Sequence, residues 1–188
     1  MTTKSAATIP QARHNGYHST DLERLFEVIF GKTYRTCLVG GAEEPAYVPA
    51  TSDSGQHQII YTRDYFRSAL HEVAHWCVAG AERRQLPDYG YWYAPDGRDA
   101  RQQAAFLQVE VRPQAYEKLF CDACGHSFRV SLDNLNGDPG DERGFAAEVD
   151  LLARQLRRDG LPSRVAMFCQ GLAQFYGRQA SVFQGVAT

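Results

Sequence analysis

Tyr61 to Gly80 reads YTRDYFRSALHEVAHWCVAG and contains HEVAH, an H-E-x-x-H pattern made by His71, Glu72 and His75. Side chains four residues apart on a helix lie one above the other on a single face. The two imidazoles therefore converge on one point, as two ligands of one metal ion must. Phe66, Leu70, Val73 and Cys77 recur at helical spacing, and Gly80 offers a C-terminal stop. HQIIYT, directly upstream, alternates as a short strand leading into that helix.

The frame around this stretch is that of one ordinary domain. The chain has 188 residues, of which 44% are hydrophobic and 22% charged, a globular composition able to bury a core. A net charge of −2 supplies no field for a polyanion, so nucleic acid is not an expected partner. No apolar run is long enough to span a membrane. Residues 1–18 are polar, lack the apolar centre of a signal peptide and read as a flexible leader, which points to the cytoplasm. A single catalytic domain is expected over 19–180, with a tail at 181–188. Five cysteines without an export signal argue for buried thiols and against a disulfide framework.

Thr20-Asp-Leu-Glu23 has the form of a capping box, and Leu22, Leu25, Phe26 and Ile29 continue it as an amphipathic helix to about Gly31. TYRTCLV reads as a strand, and GGAEEPAYVPATSDSG as a long loop. Beyond the HEVAH helix lies an irregular segment with Tyr89, Tyr91, Trp92 and Tyr93, amphipathic rings suited either to a substrate pocket or to packing. From Ala100 a second helix is expected, with Glu110 near its end and Pro113 opening or kinking another stretch to about Cys124. FRVSLDNLNGDPGDERG mixes a short strand with turns. Two C-terminal helices follow, one stopping at Gly160 and one starting after Pro162. The fold class is α+β, mainly helical, with short strands.

A catalytic metal site uses three protein ligands and keeps a position open. Two histidines and a carboxylate suit non-heme Fe(II), and the same donors with zinc suit hydrolysis. Glu110 is the candidate third ligand because it sits among apolar neighbours in LQVEVRP, where a carboxylate needs a cation or donors. Glu82, Asp88 and Asp96 remain open beside it. Glu72 would be the general base of a zinc peptidase or a proton-handling group in an oxygenase. Cys121-Asp-Ala-Cys124-Gly-His126 could supply half of a structural zinc site in a non-enzymatic interaction module. With no second CxxC, helix-end cysteines before a glycine stop are the simpler reading. No Gly-rich phosphate cradle indicates a nucleotide cofactor.

LHEVAHWCVAGAERRQLPDYGYWYAPDGR (Leu70 to Arg98), VEVRPQA (Val109 to Ala115) and SLDNLNGD (Ser131 to Asp138) together resemble the elongation factor P hydroxylase family. The resemblance implies a metal-dependent monooxygenase that hydroxylates the β-lysylated lysine of elongation factor P. It implies a fold similar to zinc metallopeptidases, and His71, His75 and Glu110 as ligands of a divalent metal, Fe(II), with dioxygen as co-substrate. CxxC is not part of the family pattern.

Overall fold

In the computed structural model the described residues are 9–12, 16–90, 97–134, 136–137, 140–179 and 183. Helix α1 (Ser19–Phe26) passes through one wide turn of π-helix at Glu27–Gly31 into the short α2 (Lys32–Tyr34). The expected capping box does not form: the helix starts at Ser19, and no side-chain hydrogen bond caps it. Glu23 is drawn elsewhere, accepting from the Tyr61 hydroxyl at 2.7 Å and from the Gly40 amide at 3.1 Å. Its carboxylate thus ties α1 to the sheet. Gly31 does not stop the helix. Tyr34 is its last residue, and Arg35 turns the chain with a left-handed backbone, φ 48°.

Three strands follow, β1 (Thr36–Ala42), β2 (Ala46–Val48) and β3 (His57–Thr62). Their order is β1-β3-β2, with β1 parallel and β2 antiparallel to the central β3. β3 spans the stretch that reads as a strand in the sequence. β2, in contrast, lies inside the stretch expected to be loop. Three residues are too few to show alternation, and only pairing with Gln58–Ile60 reveals it. Ile59 and Tyr61 point into the core from β3.

Helix α3 (Phe66–Val78) carries HEVAH, and α4 (Ala100–Cys124) packs against α3, α5 (Glu142–Asp159) and α6 (Ser163–Phe175). α4 is one uninterrupted helix of 25 residues, so Pro113 neither ends nor restarts it. A proline inside a helix removes one hydrogen bond and costs about 3 kcal/mol in isolation. Here the ring is buried, together with Gln114, Ala115 and Tyr116 beside it, and tertiary packing overrides the local preference. Asp99 and Gln102 cap the start reciprocally, at 2.8 and 3.0 Å. Gly125, φ 81°, ends the helix in the left-handed form that favours glycine.

Phe128 to Asn134 forms no strand; it lies along α4 and is held by side chains. Gln114 donates to the Ser131 carbonyl at 2.7 Å and accepts from its amide at 2.9 Å, satisfying an extended backbone as a neighbouring strand would. Buried Arg98 and Gln103 serve the carbonyls of Leu132 and Asp133 in the same way. Beneath α3, Phe26, Phe30 and Trp76 pack with ring centroids 5.0–5.1 Å apart and form, with Phe168, the aromatic centre of the core. The fold is mainly helical with one small sheet, in a single domain. Among the described residues, no helix is long and apolar enough to cross a membrane.

Candidate metal centre

Both ends of α3 are fixed firmly. At its start, Arg63 takes φ 50° to turn the chain out of β3, and the Ser68 hydroxyl accepts from the Thr62 amide at 3.0 Å. At its end, Arg164 donates to the carbonyls of Trp76, Cys77 and Ala79, and Arg84 donates to Ala79. Two guanidinium groups at a helix C-terminus satisfy its last carbonyls and complement its dipole. Both cations also lie over the Trp76 ring. Arg84 is therefore partly buried and structural.

On this braced helix, the Nε2 atoms of His71 and His75 are 3.0 Å apart. Glu110 enters from the middle of α4, its Oε1 3.3 Å from His75 Nε2 and its Oε2 3.5 Å from His71 Nε2. All three donors lie within 4.8 Å of one another, the one such group among the described residues. Donors bound to one ion at about 2.1 Å and about 90–110° apart stand roughly 3.0–3.4 Å from each other. The observed triangle matches one face of such a coordination sphere. His71 and His75 keep 24% and 13% of their side-chain surface exposed, so the group is not fully sealed from solvent. Glu110 is 3% exposed, anchored by Gln114 Nε2 at 3.5 Å.

Glu82 is exposed and Asp88 accepts from the Tyr47 amide at 2.8 Å, so neither joins the group. Asp96 lies outside the described residues, as do Tyr91, Trp92 and Tyr93. Tyr89 is buried and stacks on Tyr47 at 4.2 Å.

Sequence reasoning missed the second carboxylate of α4. Glu117 Oε2 is 3.0 Å from His71 Nδ1, and its other oxygen accepts from Arg67 at 3.0 and 2.7 Å. With Nδ1–H donating to Glu117, the Nε2 lone pair of His71 faces Glu110 and His75, the tautomer a metal ligand needs. The signal was present: Glu117 follows Glu110 by seven residues, two turns on one face. It becomes legible only if α4 continues through Pro113.

The charges reinforce this picture. Burial alone would push the His71 imidazole down, but the hydrogen bond to Glu117 and the charges of Glu110, Glu117 and Glu72 outweigh it, holding the pKa at about 10. Burial would raise Glu110, yet His75 and His71 bring it down to about 2. Three negative groups around two imidazoles form a cation site before any metal arrives. Glu72 is half-buried, and burial holds its carboxyl above the usual range against the opposing pull of the two histidines.

Cys121 and Cys124 end α4 as buried free thiols whose pKa burial pushes up. Cys124 Sγ donates to the Cys121 carbonyl, and His126 Nδ1 is 2.7 Å from the Ser127 oxygen. The three do not converge as metal donors.

Residues 25–185 match the elongation factor P hydroxylase family. The chain is also 42% identical over 162 residues to an elongation factor P lysine hydroxylase from Haemophilus influenzae, covering 86% of this chain and 91% of that one. An HExxH helix braced at both ends, a carboxylate from the next long helix and a match across nearly the whole chain agree: the chain belongs to the elongation factor P hydroxylase family.

Proposed function

We propose that this protein is a metal-dependent monooxygenase that hydroxylates the β-lysylated lysine side chain of elongation factor P in the cytoplasm. Its catalytic domain is residues 19–180, of a zinc-metallopeptidase-like fold in which a strand feeds the HExxH helix. The observation that carries the reading is the convergence of His71, His75 and Glu110, in a chain of this family, at distances that fit one ion.

Two imidazole nitrogens and one carboxylate oxygen, on partly exposed histidines, suit ferrous iron with open positions. Bound there, the iron would supply the dioxygen chemistry of C–H hydroxylation, which no side chain provides. The chain's own residues do the rest. His71 and His75 present Nε2, and Glu110 presents both carboxylate oxygens. Glu117 fixes the His71 ring and is itself clamped by Arg67. Gln114 links Glu110 to the Ser131 segment, so the ligand cannot swing away. Glu72 is our catalytic acid–base candidate: it lies next to His71 in HEVAH, and burial holds its carboxyl above the usual range. Tyr89, and with it Tyr91, Trp92 and Tyr93, are the residues we assign to the substrate side chain.

The test is the intact mass of β-lysylated elongation factor P after incubation with the protein, ferrous iron and air. A gain of one oxygen atom is expected, absent with His75→Ala. No gain with iron-loaded wild type overturns the proposal. A zinc peptidase using Glu72 as base would instead act without dioxygen and shorten its substrate.

A further inference from the structure

The substrate contact proposed for Tyr89 leaves one buried polar atom without an assigned partner. Tyr89 is 5% exposed, and its hydroxyl has no hydrogen-bond partner among the described residues. Trp76 Nε1 and the Tyr176 hydroxyl share that condition. Trp76, however, sits under the guanidinium groups of Arg84 and Arg164, and Tyr176 packs with Tyr17 and Phe175 in a separate aromatic cluster. Of the two tyrosines, Tyr89 is the one within reach of the Glu72 charge.

The backbone that delivers this hydroxyl is unusual. Asp88 (φ 46°, ψ 33°) and Tyr89 (φ 59°, ψ 19°) are consecutive left-handed residues, neither of them glycine. Such a pair persists only where the surroundings over-determine it, and sites of this kind cluster at ligand clamps. Here the ties are numerous. Asp88 accepts from the Tyr47 amide at 2.8 Å, Arg83 donates to the Tyr89 carbonyl at 3.0 Å, and the Tyr47 ring lies against Tyr89 at 22°. Tyr47 is fixed in turn by its hydroxyl, which donates to the Arg84 carbonyl at 2.8 Å. Packing alone would be served as well by phenylalanine, since a buried hydroxyl without a partner opposes folding. Among the described residues nothing answers this hydroxyl, which leaves it able to donate to a ligand.

We propose that the Tyr89 hydroxyl donates a hydrogen bond to the amide carbonyl joining the β-lysyl group to the substrate lysine. This rests on the substrate reading above. Burial, and then the charge of Glu72, push the phenol well above its usual range, so it stays protonated and acts as a donor. A lysine extended by β-lysine ends in ammonium groups, which have donors only. The linking amide oxygen is the one side-chain acceptor that distinguishes the modified lysine from an unmodified one. A fixed phenol donor would thus recognise the modification itself.

The experiment compares wild type with Tyr89→Phe, which keeps the ring and its stack on Tyr47. Binding of β-lysylated and of unmodified elongation factor P is measured by titration, with thermal melts, iron affinity and the split between kcat and KM. Tyr89→Phe should melt no lower than wild type and bind iron equally. It should bind the β-lysylated form about three- to tenfold more weakly, as loss of one neutral hydrogen bond gives, seen mainly in KM, and the unmodified form unchanged. Unchanged binding of the β-lysylated form, equal weakening of both forms, or a lower melting temperature would each overturn the proposal, the last by showing that the fold uses the hydroxyl. A wild type that adds no oxygen and does not discriminate the two forms removes the substrate reading, and this inference with it. An active wild type matched by its variant removes only the role of Tyr89.

Discussion

Replacing Glu117 by glutamine preserves shape and removes one charge from a group that makes three hydrogen bonds, one to His71 and two to Arg67. The amide cannot satisfy both neighbours. If its oxygen faces Arg67, its NH2 points at His71 Nδ1 and demands the opposite tautomer, placing the ring proton on Nε2 where the metal should bind. If its oxygen faces His71, the NH2 meets the Arg67 guanidinium, donor against donor. Loss of such a partner typically weakens metal binding about 10- to 100-fold, or about 1.4–2.7 kcal/mol. The metal-free fold also loses charge-assisted hydrogen bonds. Because Arg67 is about a third exposed, the lower end of their range applies, about 1.5 kcal/mol. For a chain of this length that lowers the melting temperature by about 3–6 °C. Chelator-competition titration with Fe(II) under anaerobic conditions reads the first effect, and melts with and without metal read the second. A Glu117→Gln protein with wild-type iron affinity would refute the role given to Glu117.

The pH dependence has a definite sign. His71 is held at about 10 in the metal-free protein, so the stability it contributes is fully present below its unfolded value of 6.5 and is lost as pH rises through 10. Glu110, depressed to about 2, contributes stability above 4.5 that is lost as pH falls through 2. Metal must displace the His71 proton, so iron affinity should rise with pH, and the metal-induced rise in melting temperature should grow from pH 6 to 8; a flat response contradicts this. Gly40→Ala places a Cβ 2.5 Å from the Tyr61 hydroxyl and 2.7 Å from the Arg63 carbonyl, and should cost about 1–3 kcal/mol, read as a melting temperature lower by about 2–12 °C. Cys124→Ser should cost only about 1–2 kcal/mol by denaturant titration and leave metal content unchanged, since a serine hydroxyl can donate to the Cys121 carbonyl as the thiol does. Unfolding accompanied by loss of zinc would revive the structural-zinc reading.

HEVAH and the strand before it were legible because each is local: periodicity sets which side chains share a face, and the structure adds little to them. Glu110 was less so. Its apolar neighbours marked it as needing a partner, but only the likeness of VEVRPQA to the family separated it from Glu82, Asp88 and Asp96. Pro113 misled, because a helix-breaking propensity of a few kcal/mol is overcome when a whole helix packs on three others. The capping box at Thr20 misled for the opposite reason, since Glu23 gains more from Gly40 and Tyr61 across the fold than from its own helix end. β2 escaped because a three-residue edge strand has no periodicity to read.

The unbroken path of α4 through Pro113 makes that helix a ruler. Glu110 and Glu117 sit two turns apart on one rigid rod, the first reaching the Nε2 atoms of both histidines and the second Nδ1 of His71. One residue inserted between them would rotate everything downstream by about 100° and advance it by about 1.5 Å. Glu117 would then face another helix while Glu110 stayed in place. A whole added turn would restore the angle but carry the carboxylate about 5.4 Å past the imidazole. The six residues from Val111 to Tyr116 can therefore exchange side chains far more freely than they can change in number.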